Sequence, residues 1–210
     1  MRQVTFKTAS GFIPIGEGLP THFIAEIGLN HNGSLELAKG MILEAAKSGA
    51  TMVKFQKRFP EKLATAEFLD APFTKCPLFG STQREVRERL ELSFDEYKIL
   101  EGYAKSLGLM FSASVFDIES LEFLTKLSDP IIKIASHSIT NGPLLKEVAR
   151  TGLPVICSLG GGDQKETDEA FEILKDNPLI FLHCVSAYPT PDDLINLDTI
   201  AYLKERYNVP

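Results

Sequence analysis

The chain has 210 residues, of which 44 % are hydrophobic and 24 % charged, with a formal net charge of −6. This is apolar material enough for one sizeable core at an ordinary globular charge content, which excludes a disordered chain. The acidic balance argues against nucleic acid or an anionic membrane as partner, and it requires that any anionic ligand be held by local positive charge.

The opening MRQVTFKTASGFIPIG lacks the continuous apolar stretch of a signal peptide. No apolar run approaches the length that spans a bilayer. Within that opening, VTFK and FIPIG flank Ser10-Gly11 and read as a β-hairpin. Six short apolar runs follow: FIAEIGL (23–29), TMVKFQ (51–56), LMFSASV (109–115), PIIKIAS (130–136), PVICSLG (154–160) and LIFLHCV (179–185). Each is followed by a segment with helical spacing. In SLELAKGMILEAAKSG (34–49), Leu35, Ala38, Met41, Ile42 and Ala45 form one stripe. Ser34 is the expected N-cap, Glu36 lies in the first turn, and Gly49 is the C′ residue. IESLEFLTKL, LLKEVARTG, KETDEAFEILKD and LDTIAYLKERY repeat the pattern. Nearly continuous apolar strands alternating with helices predict a parallel α/β sheet. The stretch from Lys57 to Gln83, rich in Phe, Pro and Lys, predicts a long functional loop.

An open doubly wound sheet would carry a glycine fingerprint after its first strand, but Leu29 is followed by Asn30-His31-Asn32-Gly33. Polar residues gather instead near the ends of many strands: Glu26, Asn30, Lys54, Gln56, Ser112, Lys133, Ser136, Ser158 and His183. That pattern favours a TIM-type (β/α)8 barrel, whose site is built at the C-terminal rim. With six βα units before Pro210, the expectation is a single, incomplete barrel domain over residues 1–210 with an N-terminal hairpin. Cys76, Cys157 and Cys184 are odd in number and contain no C-x-x-C pair, so disulfides and zinc are not expected and a cytoplasmic location is.

Lys54 and Lys133 interrupt apolar strands, where an ammonium group needs a counter-charge or a ligand. A pair of them near strand ends favours an anion site over two structural lysines. Period-two alternation puts Gln56 on the face of Lys54. Glu26 is either the lysines' counter-ion or a substrate-handling carboxylate. Gly160, Gly161 and Gly162 either offer N–H groups to a phosphate or form a tight turn. His183 is either a metal ligand or, more in keeping with a solitary strand histidine, a hydrogen-bonded core residue.

The segment FIAEIGLNHNGSLELAKGMILEAAKSGATMVKFQK, with KIASHSITNGPLL (133–145) and LHCVSAYPTPDDLINL (182–197), resembles the N-acetylneuraminate (sialic acid) synthase family. Legionaminic and pseudaminic acid synthases share the pattern. The resemblance covers nearly the whole chain. It implies condensation of phosphoenolpyruvate with N-acetylmannosamine or a related N-acetylated amino sugar, giving a nine-carbon 2-keto acid and phosphate. It further implies a divalent metal, Mn2+ or Mg2+, as Lewis acid, and a homodimer. It assigns phosphoenolpyruvate to Lys54, Ser112, Lys133, Ser136 and Ser158. The sugar falls to Glu26, Gln56, Ser186 and Tyr188, and catalysis to Glu26, Lys54 and Lys133. Three departures stand out. The family's S-T segment reads Ser112-Ala113-Ser114, its glutamate after K-I-x-S is Ser138, and its S-x-G-M turn is Ser158-Leu159-Gly160-Gly161. The metal-binding S-D-H and K-H-F motifs do not occur, so those histidines are expected beyond Pro210, with the antifreeze-like domain. A different phosphoenolpyruvate-condensing keto-deoxy-sugar-acid synthase and a non-catalytic binding module are the alternatives.

Overall fold

The computed structural model describes residues 2–8 and 11–210. In chain order the elements are β1 (Gln3–Thr8), β2 (Gly11–Gly16), β3 (Ile24–Gly28), α1 (Leu35–Lys47), β4 (Met52–Lys57), α2 (Pro60–Leu63), α3 (Ala66–Asp70), α4 (Gln83–Arg89) and α5 (Phe94–Ser106). Then come β5 (Met110–Val115), α6 (Ile118–Leu124), β6 (Ile131–Ile134), α7 (Gly142–Thr151), β7 (Val155–Ser158), α8 (Gln164–Leu174), β8 (Leu179–Leu182) and α9 (Asp198–Tyr207). Two 3₁₀ turns, Ser136–Ser138 and Asp192–Leu194, follow β6 and β8. Among the described residues no helix is long and apolar enough to cross a membrane.

The chain divides into two compact units, one of residues 22–127 and one of the segment before His22 with residues 128–210. In the first unit β3, β4 and β5 pair in parallel, in that order. Glu26, Lys54 and Ser112 share one row of the register, and Gln56 pairs with Ser114 one pleat repeat further on. The core is aromatic: Phe55 stacks on Phe111 at 5.2 Å, and Tyr97 meets Phe111 edge-on at 6.0 Å. Phe55, Tyr97, Ile42 and Leu100 are essentially inaccessible, each contributing roughly 1.5–3 kcal/mol of apolar burial.

In the second unit β1 and β2 form the expected antiparallel hairpin, with Val4 opposite Ile15. The expected turn at Ser10 lies outside the described residues. β6, β7 and β8 pair in parallel, with Lys133 level with Ile156 and Ser158 level with Leu182. Strand β6 is buried along its whole length, as its apolar run predicts.

Most of the helices start where a side chain satisfies an orphan amide; α2 and α9, which follow Phe59 and Leu197, do not. Ser34 accepts from Leu37 N at 3.3 Å, and Gly49 follows the Ser48 C-cap with φ +80°, both as read from the sequence. Ser93 with Glu96, and Asp163 with Glu166, close full capping boxes on α5 and α8, about 1 kcal/mol each. The stretch from Lys57 to Gln83 departs from the expected loop: it contains α2 and α3, too short to show helical periodicity, and a bridge between Pro72 and Thr82.

Candidate active site

The two strand lysines singled out in the sequence each centre a cluster, one in each unit. In the first, Glu26 sits on β3 and Lys54 on β4, opposite each other in the parallel register. Their side chains form an ion pair in which Lys54 is 12 % and Glu26 48 % exposed. The counter-ion reading of Glu26 is thus realised, but with a carboxylate open to solvent. Lys54 Nζ also donates to Ser114 Oγ at 3.3 Å. Ser114 lies two residues beyond Ser112, the register partner of Lys54, so the lysine leans toward the C-terminal end of the strands. Ser112, the expected hydroxyl, is fully buried, and Ser114 is the hydroxyl that accepts from the Lys54 ammonium. Gly28 separates two of the four sugar-side candidates, Glu26 and Gln56. A β-bulge at φ +56° puts it where a Cβ would lie 3.1 Å from Glu26 Oε1 and 3.4 Å from Gln56 Nε2. Glu26 and Gln56 therefore flank one backbone position.

The Asn30-His31-Asn32-Gly33 turn serves structure. His31 is 1 % exposed, its Nδ1 accepts from Gly33 N at 3.1 Å, and burial lowers its pKa. Its neutral imidazole locks a turn in which Gly33, at φ +75°, abuts the Arg89 carbonyl so closely that any Cβ would collide.

The second cluster surrounds Lys133 on β6, 5 % exposed. Its Nζ donates to Ser158 Oγ at 2.6 Å and to the Ile134 carbonyl. Ser158 is again two residues beyond the register partner, here Ile156. Both lysines therefore use one device: each reaches along the strands to a serine of the next strand, one pleat repeat toward the C-terminal end. Cys157 lies on the same strand, fully buried, and burial pushes its thiol up to about 12 despite the nearby Lys133 charge. It stays protonated near neutrality and is no nucleophile.

Ser136 is half-buried at the start of its 3₁₀ turn. A Cβ on Gly161 would collide with the Ser136 carbonyl, and one on Gly160 would sit 2.8 Å from the Cys184 carbonyl. These glycines permit close backbone packing, which is the tight-turn reading. The N-terminus of α8 is taken by the Asp163 carboxylate, which accepts from Glu166 N at 2.9 Å, so the phosphate-cradle reading finds no free helix end there. Ser186 is exposed and donates to the Gly160 carbonyl at 2.7 Å. Tyr188 is 98 % exposed and joins neither cluster. His183 lies just past β8 with Nε2 2.7 Å from the Ile195 carbonyl, as the hydrogen-bonded reading expects. Among the described residues no group of three His, Cys, Asp or Glu converges as metal ligands. With Glu26 paired to Lys54, and His31 and His183 engaged with backbone, these four residues do not fit a divalent cation.

A charge network at the end of β4 escaped the sequence reading. Lys57 and Arg58 converge on Glu91, 33 residues after Arg58, a separation that no local pattern signals.

Comparison with known proteins gives a consistent picture. The chain is 39 % identical over 189 residues to the N-acetylneuraminate-9-phosphate synthase of Drosophila melanogaster, covering 89 % of this chain and 51 % of that protein. It is 36 % identical over 213 residues to the N,N'-diacetyllegionaminic acid synthase of Legionella pneumophila, covering 97 % of this chain and 60 % of the relative. The chain thus spans about half the length of the curated relatives it matches. A crystal structure of N-acetylneuraminic acid (sialic acid) synthetase from Leptospira borgpetersenii serovar Hardjo-bovis, in complex with citrate, superposes with a TM-score of 0.80 at 34 % identity. That likeness covers 100 % of this chain and 69 % of that one. Residues 41–210 match the NeuB family as such, and on these grounds the chain belongs to the NeuB family.

Proposed function

We propose that the chain is the phosphoenolpyruvate-binding part of a synthase that joins phosphoenolpyruvate to an N-acetylated amino sugar, yielding a nine-carbon 2-keto acid and phosphate. The observation that carries this reading is the repeated lysine-to-serine device, on strands of a chain whose relatives are sugar-acid synthases. The proposal includes a TIM-type barrel as the complete architecture, a cytoplasmic setting and a homodimer, as the resemblance in the sequence implies.

In this reading Lys54 and Lys133 each supply a fixed cation for the phosphate or carboxylate of phosphoenolpyruvate. Such charges act strongly where water is excluded. Ser114 and Ser158, already hydrogen-bonded to the lysines, together with Ser112 on β5 and Ser136 after β6, supply hydroxyl donors. Glu26 and Gln56 handle the sugar, joined by Ser186 and Tyr188. The C3 carbon of phosphoenolpyruvate bonds to the sugar aldehyde carbon, whose oxygen takes a proton. Water then adds at C2, and the C–O bond to phosphate breaks as the keto group forms. A divalent metal would polarise the aldehyde when bound; its ligands are not found among the described residues, and no step assigned here to this chain passes through it.

Keto-acid formation from phosphoenolpyruvate and N-acetylmannosamine, or its 6-phosphate or diacetamido analogues, tests the reading in the protein encoded by the complete reading frame. Calorimetry on this chain tests its share, phosphoenolpyruvate binding. Inertness of the complete protein toward every acceptor would sink the enzymatic reading.

A further inference from the structure

Strand β4 carries Lys54 and Gln56 on one face, and by alternation Lys57 points to the other. That opposite side is unusually well anchored. Lys57 is buried between the rings of Phe59 and Phe123, 5.0 and 4.8 Å from its Nζ. It donates to Glu91 Oε2 and to the Leu92 carbonyl, both at 3.2 Å. Glu91, 11 % exposed, also accepts from the Arg58 backbone N–H at 3.2 Å and from Arg58 Nε at 3.0 Å. On either side, the Tyr97 hydroxyl donates to the Gln56 carbonyl at 2.8 Å and Phe59 N donates to Asp117 at 3.1 Å. Four successive residues, 56 to 59, are thus held from outside the strand, and Glu91 alone grips two of them.

We propose that Glu91 is a positioning residue: it fixes the C-terminal end of β4, and through it the placing of Lys54 and Gln56. A carboxylate serving only to neutralise Lys57 would need one contact. Glu91 makes three, one of them to a main-chain amide, and a bond to the main chain sets the direction in which the strand leaves the sheet. Glu91 also stands at the far end of the excursion that Arg58 begins, so the same carboxylate ties the entry of that excursion to its exit. Binding sites lose affinity steeply when a ligating group shifts by about an ångström, because the ligand must then reorder it.

The ligand arm of this inference rests on the proposed function; the structural arm does not. Hydrogen exchange at the amides of residues 57 to 59, phosphoenolpyruvate affinity by calorimetry, and thermal unfolding are measured for the wild type, Glu91→Gln and Ile42→Val. The last variant loosens the same unit's core away from β4's end. Glu91→Gln is expected to speed exchange at 57 to 59 at least tenfold and to weaken phosphoenolpyruvate about tenfold. Ile42→Val should lower the unfolding temperature yet hold affinity within twofold. Arg58→Lys, which leaves the Lys57–Glu91 pair in place, should shift both readouts less and in the same direction, and it serves if Glu91→Gln does not fold. Unchanged exchange in the folded variants overturns the proposal, and so does faster exchange with unchanged affinity. A wild type that does not bind phosphoenolpyruvate would overturn the site's reading instead, while the exchange arm still decides whether Glu91 holds the strand end.

Discussion

The Lys54 and Lys133 clusters are built alike and exposed differently. In both, a strand lysine crosses to the serine two residues beyond its register partner. Lys54 shares its ammonium with Glu26, whose carboxylate is 48 % exposed, whereas Lys133 is 5 % exposed. An ion pair open to water is worth about 1 kcal/mol or less and can exchange one partner for another. A buried ammonium held by a hydroxyl and a carbonyl is already desolvated and oriented before any ligand arrives. The difference teaches that one local device can yield an adjustable cation in one place and a preorganised one in another.

The sharpest way to break this comparison is to remove each cation. Lys133→Met should abolish measurable phosphoenolpyruvate binding in calorimetry, since loss of one partner of a buried charge pair costs about 2–5 kcal/mol. Lys54→Met should weaken it by about 10- to 100-fold, the range of a hydrogen bond to a charged group. Equal losses would mean that exposure does not distinguish the two lysines. Glu26→Gln, which frees Lys54 from its carboxylate, should leave phosphoenolpyruvate affinity unchanged or raised while keto-acid formation by the complete protein falls.

Smaller effects should separate the backbones that support the clusters. Gly161→Ala drives a methyl into the Ser136 carbonyl and should cost about 1–3 kcal/mol in urea unfolding. Gly28→Ala, strained at φ +56° and pressing on Glu26 Oε1, should cost about 1–2 kcal/mol. Near neutrality the mildest handle is pH. His31 in the first unit has its pKa lowered by burial, so its contribution is complete above 6.5 and declines as the pH falls below it, because the unfolded chain takes up the proton first. Cys157 in the second unit is shifted the other way. Its contribution is complete below 9.0 and is lost as the pH rises toward about 12, because the unfolded thiol ionises first. Site-resolved hydrogen exchange across the pH range should therefore show acid loosening the first unit and alkali the second, by up to about 1.4 kcal/mol per pH unit for each group.

Much of this was legible in the residues. All six apolar runs became strands, because burial on both faces demands continuous apolar sequence, and the caps at Ser34 and Gly49 are set by contacts within a few residues. Lys54, Lys133 and Glu26 stood out because a charge in such a run has to be explained. What escaped depends on distance along the chain or on the path of a side chain. The Glu91 clasp joins residues 33 apart, and α2 and α3 are too short to leave a period.

The sequence by itself thus determined the strand–helix rhythm, the family and the two strand lysines that needed a partner. These follow from local hydrophobic pattern and from the cost of burying charge. Only the tertiary structure decided that Ser114 accepts from Lys54, that Gly161 is needed against Ser136, and that Tyr188 stands in solvent. Register, close backbone approach and side-chain reach arise from packing between segments, which no single stretch of sequence contains.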